Sequence, residues 1–281
     1  MGAVPAQYRQ LSVSNIAWPS DQDDEALEVV RDLGFDGVEL APAKVFGDIH
    51  SVPLEIVRTY RRKIEDKGLL VSALQAILFG VQGAHLFESS ETRERMAVHL
   101  GRVAEIAGAL GARACVFGSP TLRDPGSLPI ATALEIAVTF FQRVAPHFAS
   151  QGVDLCFEAN PPLYQCRFVT RTQEAFDLVE RVNMPGVAMQ LDTGTIFANG
   201  EDPGIIQQVE HRIGHFHVSE PNLMPTGATG VDHAAVAEVL QNSTYPHWIS
   251  IEMRAAGDWI RDLQRAYALA HSLYRGTRTT T

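Results

Sequence analysis

The sequence predicts an α/β chain folded as one closed (β/α)8 barrel, the TIM-barrel architecture, spanning residues 1–275, with a disordered polar tail at 276–281. Three observations carry this expectation. Short strand-like runs alternate with helical ones eight times, which implies parallel strands joined by right-handed crossovers. The chain has 281 residues, a length at which eight such units close on themselves. The last four strand-like runs end in Glu158, Asp192, His217 and Glu252, so the same position in four successive units carries a chemically capable side chain. An open doubly wound sheet is the other architecture such alternation allows, but no Gly-x-Gly-x-x-Gly follows the first strand. No linker, low-complexity tract or domain break interrupts the pattern, and the strand–helix unit is the only internal repeat.

Taken in order, residues 11–18 alternate and stop at Pro19, which reads as the first strand. Residues 23–33 repeat apolar side chains at helical spacing (Leu27, Val30, Leu33), and Gly34 ends the run. A second strand covers 35–40 and closes at Pro42. Residues 52–66 predict a helix, with Ser51 as N-cap and Gly68 after its end. The third strand, 69–74, leads into Gln75 and a glycine-containing loop. A long helix at 91–110 ends at Gly111, and the fourth strand, 112–117, stops at Gly118-Ser119-Pro120. A second long helix, 128–150, leads to the strand ending at Glu158, where Asn160-Pro161-Pro162 breaks the ladder. Thr170 and Gln173 read as a capping box opening a helix to Val182. Asp192 closes the sixth strand, and a short helix covers 203–209. His217 closes the seventh, and Asp232 caps a helix over 234–240. Glu252 closes the eighth, and the last helix covers 259–273.

Composition narrows the function. Net charge is -10 at pH 7, with acidic residues spread along the chain, which argues against a nucleic-acid surface. Cys115, Cys156 and Cys166 are too few to read as a disulfide framework and suggest a reducing compartment, so the expected location is the cytoplasm. Residues 1–10 lack the apolar core of a signal peptide, and no apolar run is long enough to span a bilayer. The expected partner is a small molecule; a homo-oligomer is compatible with the sequence.

Glu158, Asp192, His217 and Glu252 are spaced by about one strand–helix unit each, so a closed barrel brings them to its C-terminal face. Two Glu, one Asp and one His form a hard, mostly oxygen donor set. It suits one divalent cation, Mn²⁺ or Mg²⁺, with Co²⁺ or Zn²⁺ tolerated. Three carboxylates packed together without a cation would force one to stay protonated. The alternative for a single Glu or Asp at a strand end is a helix cap or ion-pair partner, and for a single His a hydrogen-bonded core residue. Four at the same position on successive strands favour a metal site.

These residues carry a resemblance. The runs Leu33-Gly34-Phe35-Asp36-Gly37-Val38-Glu39-Leu40, Phe157-Glu158-Ala159-Asn160-Pro161, Leu191-Asp192-Thr193-Gly194, His217-Val218-Ser219-Glu220 and Ile249-Ser250-Ile251-Glu252-Met253 resemble those of the xylose-isomerase-like TIM barrel superfamily. Within it the pattern is similar to the D-tagatose 3-epimerase and inosose-processing group. The resemblance implies a metal-dependent sugar or polyol isomerase or epimerase working through an enediolate, in which Glu158, Asp192, His217 and Glu252 bind one divalent cation, most often Mn²⁺. It also implies that Glu158 and Glu252 are the acid/base pair. An inosose-type dehydratase on the same site is the alternative. An endonuclease-IV-like repair enzyme and a non-catalytic sugar-binding barrel are further readings. The family usually places a His three residues after the Asp and often an Arg six after the His. Here those positions are Thr195 and Leu223, which directs the expectation away from plain ketohexoses and toward a cyclitol or decorated sugar.

The expected substrate-binding residues are Asn15, Trp18, Gln75, Ser119, Asn160, Thr195 and Glu220. Trp18 would stack on a ring, with core packing as its alternative. Gln75 would bond a hydroxyl, and Asn160 would orient substrate or close its turn. Glu220 would support His217 from behind. Glu39 is expected in an ion pair with a helix, Arg123 in a solvated turn, His215 facing away from His217, and His233 at the loop rim. No His pattern marks Cys156 or Cys166 as a nucleophile.

Overall fold

The computed structural model describes residues 8–276. Of the expected tail at 276–281, residues 277–281 lie outside it, as do the first seven residues. Eight parallel strands close in chain order: β1 (Leu11–Ser14), β2 (Gly37–Leu40), β3 (Leu70–Leu74), β4 (Ala114–Phe117), β5 (Asp154–Glu158), β6 (Val187–Asp192), β7 (Ile213–Ser219) and β8 (Ile249–Glu252). β8 pairs back onto β1 through Leu11 with Ile249 and Val13 with Ile251. Closure leaves no sheet edge.

Ten α-helices surround the barrel among the described residues: α1 (Asp23–Leu33), α2 (Pro42–Phe46), α3 (Leu54–Glu65), α4 (Ser90–Leu110), α5 (Ile130–Ala149), α6 (Thr172–Val182), α7 (Thr193–Asn199), α8 (Ile205–Val209), α9 (His233–Gln241) and α10 (Trp259–Leu273). The eight expected helices are present, and α2 and α7 are additional. Each follows a strand directly on the C-terminal face. Pro42 starts α2, and Asp192 caps α7 by accepting from the Gly194 N–H (2.9 Å).

Several boundaries differ from expectation for local reasons. The first strand stops at Ser14, and Asn15–Ala17 turn into a 3₁₀ segment. Ser51 does not cap α3, whose first turn starts after Pro53; the Ser51 hydroxyl donates to the Asp48 carbonyl instead (3.0 Å). The acid that closes the start of α6 is Glu174, not Gln173, and it accepts from the Thr170 and Arg171 N–H groups. Asp232 caps α9 as expected, through the Ala235 N–H (3.1 Å).

The main core lies between strands and helices, where apolar faces such as Leu100, Val103 and Ala107 of α4 and Phe141, Val144 and Phe148 of α5 are buried. Phe117, Phe141 and Phe157 form one aromatic cluster with ring centroids 5.0–5.6 Å apart. Fully burying such side chains contributes about 1.5–3 kcal/mol each. Inside the barrel, small side chains (Ala73, Ala114, Cys156) pack in a separate cluster. Gly214 has no room for a side chain, since a Cβ would lie 2.8 Å from both Ala188 Cβ and Cys156 Sγ. This tight lower layer leaves the polar side chains to the upper barrel. The three cysteines are buried and unbonded, and among the described residues no helix is long and apolar enough to cross a membrane.

Candidate metal centre

Register explains how the four expected ligands meet. Asp192 pairs with His217, Glu158 with Gln190, and Ser219 with Glu252, so the ends of β5 to β8 stand at nearly the same height. Glu158, His217 and Glu252 each present a ligand atom within 4.8 Å of the others. His217 Nδ1 stands 3.3 Å from Glu252 Oε2. Asp192 lies outside that trio but lines the same cavity as Glu158 and Glu252, which has a volume of about 530 Å³. One oxygen of Asp192 takes the Gly194 N–H and the Ser219 hydroxyl. One carboxylate therefore both caps α7 and lines the cavity.

The crowding has an electrostatic signature. Burial, then the charges of Asp192 and Glu252, push the Glu158 carboxyl up to about 8. Burial and Glu252 push Asp192 up to about 6, against His217 and the Ser219 and Gly194 donors. Burial works against charge on His217, but Glu39 and Glu252 outweigh it and hold its pKa well above the usual histidine range. A buried set of carboxylates that repel one another, facing an imidazole, is compatible with a divalent cation.

The partner of His217 is Glu39. Its two carboxylate oxygens lie 3.0 and 2.9 Å from His217 Nε2, and the Ser250 hydroxyl donates to it at 2.5 Å. The expected helix ion pair of Glu39 is thus replaced by a contact inside the barrel. Its pKa is held well below the usual carboxylate range: burial opposes this, and His217 and His215 overcome it. His215 does not face away from His217. Its Nε2 lies 3.3 Å from Glu39 Oε1, because residues two apart on a strand share a face. The one sequence signal for Glu39 was its position at the end of the second strand, matching the four expected ligands.

Of the expected substrate-binding residues, Gln75, Ser119 and Asn160 line the cavity. Gln75 also donates to the Ser14 hydroxyl (2.8 Å), and Asn160 Nδ2 donates to Glu158 Oε2 (2.9 Å). The other four do not line it. Asn15 is buried and accepts from the Ala41 N–H (2.9 Å), holding the turn after β2. Trp18 is core, with its N–H on Asp23 (3.1 Å). Thr195 is buried and its hydroxyl donates to the Ala159 carbonyl (2.9 Å), tying α7 to the end of β5.

Glu220 does not support His217. It pins the following loop by accepting from the Gly227 and Thr229 N–H groups, and His233 Nε2 lies 3.3 Å away. These donors outweigh burial and lower its pKa to about 2. His233 is buried there, with its Nδ1 2.8 Å from the Tyr274 hydroxyl, rather than at the rim. Arg123 is fully buried rather than solvated. Burial raises the Cys156 thiol well above its ordinary range, which leaves it unreactive. Sequence reading missed Tyr164, Phe79 and Arg254, which also line the cavity; Phe79 and Arg254 sit on loops and Tyr164 in the short 3₁₀ turn Pro162–Tyr164, where no periodicity marks them.

A family model described as xylose isomerase-like TIM barrel matches residues 27–271. No curated protein matches the chain by sequence. Among solved structures, D-psicose 3-epimerase from Clostridium cellulolyticum H10, solved with D-tagatose, is 17% identical with a TM-score of 0.79, covering 94% of this chain and 99% of its own. The E. coli 3-keto-D-glucoside 4-epimerase is 15% identical with a TM-score of 0.76, covering 94% and 99%. An L-ribulose 3-epimerase is 19% identical with a TM-score of 0.77, covering 94% of each chain. At these identities the likeness is one of fold.

Proposed function

The chain belongs to the xylose isomerase-like TIM barrel family, and from that premise we propose that it is a divalent-metal-dependent isomerase that epimerises a sugar or polyol derivative. The observation that carries the reading is the convergence of Glu158, His217 and Glu252 within 4.8 Å, on a cavity that Asp192 also lines. The residues fit a cation: they are buried, crowded and mutually repelling without one, and Glu39 on Nε2 leaves His217 Nδ1 facing Glu252. Glu158, Asp192, His217 and Glu252 would hold it, with Mn²⁺ preferred for the oxygen-rich set and Mg²⁺, Co²⁺ or Zn²⁺ acceptable. When bound, it would polarise a substrate carbonyl and lower the cost of charge on the adjacent carbon.

The remaining chemistry belongs to the two glutamates. Inverting a carbon beside a carbonyl requires a proton to leave one face and return to the other. Glu158 on β5 and Glu252 on β8 approach the cavity from different strands, so one takes the proton and the other returns it. Relatives of the same fold carry names that specify sugar 3- and 4-epimerisation, which supports the reaction class.

The cavity also supports a decorated substrate. Thr195 is turned to the backbone, and Leu223, Phe79, Val81 and Tyr164 give the upper wall an apolar character beside the carboxylates. Arg254 is the one Lys or Arg among the lining residues, and it offers the guanidinium that Leu223 lacks. A net charge of -10 suits a small-molecule partner better than nucleic acid, and the three buried thiols suit a reducing compartment such as the cytoplasm.

The test is solvent exchange. With Mn²⁺ and a keto-sugar that turns over, product formed in D₂O carries deuterium at the inverted carbon. Glu158→Gln and Glu252→Gln each lose activity by about 10²–10⁴, with bound metal measured alongside. Product without solvent deuterium overturns the two-glutamate reading.

A further inference from the structure

We propose that Arg123 is a positioning residue: it locks the Asn160 amide and, through it, fixes one oxygen of Glu158. The inference rests on Glu158 being a ligand of the proposed cation. Arg123 ends the 3₁₀ turn that follows β4 and is 0% exposed. Its Nη2 donates to Asn160 Oδ1 at 2.7 Å, and Asn160 Nδ2 donates to Glu158 Oε2 at 2.9 Å. The guanidinium lies 4.6 Å from the Phe157 ring centroid, with the Cys166 thiol close by.

What makes this arrangement costly also makes it informative. Among the described residues no carboxylate reaches Arg123 as an ion-pair partner; Nε and Nη1 find no hydrogen bond, and apart from Asn160 the polar side-chain contact of the guanidinium is with the Cys166 thiol. A buried cation held this way gains little stability; an apolar side chain of similar volume commonly serves as well or better. Its geometric effect is specific, however. A guanidinium has donors and no acceptor. Asn160 must therefore turn its oxygen toward Arg123, which leaves the amide N–H groups facing Glu158. That amide can bond only an acceptor, so Glu158 Oε2 is held and Oε1 is left without a protein donor among the described residues. Gly118 belongs to the same device, since a Cβ there would lie 2.4 Å from Glu158 Oε2 and 3.5 Å from Asn160 Oδ1. Among the described residues Glu252 is met by His217 Nδ1 at 3.3 Å and by no side-chain amide, so the two glutamates are aimed by different groups.

The experiment measures Mn²⁺ affinity by calorimetry and melting of the metal-free chain, for wild type, Arg123→Met, Asn160→Leu and the double variant. Groups that orient a ligand typically contribute roughly 10–100-fold in metal affinity. Arg123→Met is expected to melt no lower than wild type yet bind Mn²⁺ at least tenfold more weakly. Asn160→Leu, which keeps Arg123 in place, shows the same weakening, and the double variant is no worse than the weaker single, because both residues act along one path. Wild-type affinity in Arg123→Met, or in Asn160→Leu where the first variant fails to fold, overturns the inference and leaves the proposed function standing. A wild-type chain that binds no Mn²⁺ overturns the proposed function and this inference with it.

Discussion

The Glu39 carboxylate on β2 stands 2.9 Å from Nε2 of His217 on β7, joining residues 178 positions apart inside the barrel. With Nε2 engaged, the imidazole turns Nδ1 toward Glu252. Glu39→Gln removes the charge that orients this ring. The variant should bind Mn²⁺ about 10–100-fold more weakly, while His217→Ala should lose the cation altogether. Titration calorimetry with Mn²⁺ and elemental analysis of purified protein check both. Full metal content in His217→Ala would remove that residue from the site.

Gly118 is the second point of leverage. Its backbone φ is one that alanine can adopt, so Gly118→Ala acts through space: the new Cβ would stand 2.4 Å from Glu158 Oε2. The carboxylate must move. The expected outcome is a folded protein, by circular dichroism and melting, with Mn²⁺ affinity reduced about tenfold. An unchanged affinity would show that Glu158 tolerates displacement.

The metal-free protein should lose stability as pH rises. Glu158, raised from 4.5 to about 8, and Asp192, raised from 3.8 to about 6, hold protons in the folded state that the unfolded chain releases. Between about pH 4.5 and 8 the folded form therefore binds more protons, and the unfolding free energy falls with pH. Glu220 has the opposite sign. Lowered to about 2, it contributes stability present above its ordinary value of 4.5 and lost as pH falls toward 2. Melting scans in chelator should show a decline toward pH 8, and added Mn²⁺ should reverse it, since a ligand that binds the folded form stabilises it. A metal-free melting temperature that rises steadily to pH 8 would contradict the crowded-carboxylate description.

Arg254 stands on the cavity wall beside Leu223 and Glu252. Arg254→Ala should raise KM about tenfold or more for the physiological substrate with a smaller effect on kcat, as expected when a group binds ground and transition states alike. Unsubstituted ketohexoses should be poor substrates of the wild type, because Thr195 is turned to the Ala159 carbonyl. Steady-state assays on a panel of free and substituted sugars check this; fast turnover of fructose, tagatose or psicose would show that other side chains have replaced those contacts.

The barrel and the four strand-end residues are legible in the residue pattern alone. Strand and helix periodicity, and stops such as Gly34, Gly111 and Pro161, are local properties, and parallel strands in sequence order bring Glu158, Asp192, His217 and Glu252 to one face. What stands behind them depends on contacts between distant segments. Glu39 meets His217 because closure brings β2 within reach of β7, and Arg123 is buried because its turn folds over Phe157. Asn15, Trp18 and Thr195 sit at the right height in the chain but point to backbone and core, since the 3₁₀ turn after Ser14 and the start of α7 rotate them away from the cavity. Strand ends can be read from residue pattern, because the pattern reports local burial. The direction of a side chain in a loop or first helical turn depends on which distant group offers a hydrogen-bond partner, and that is set only when the barrel closes.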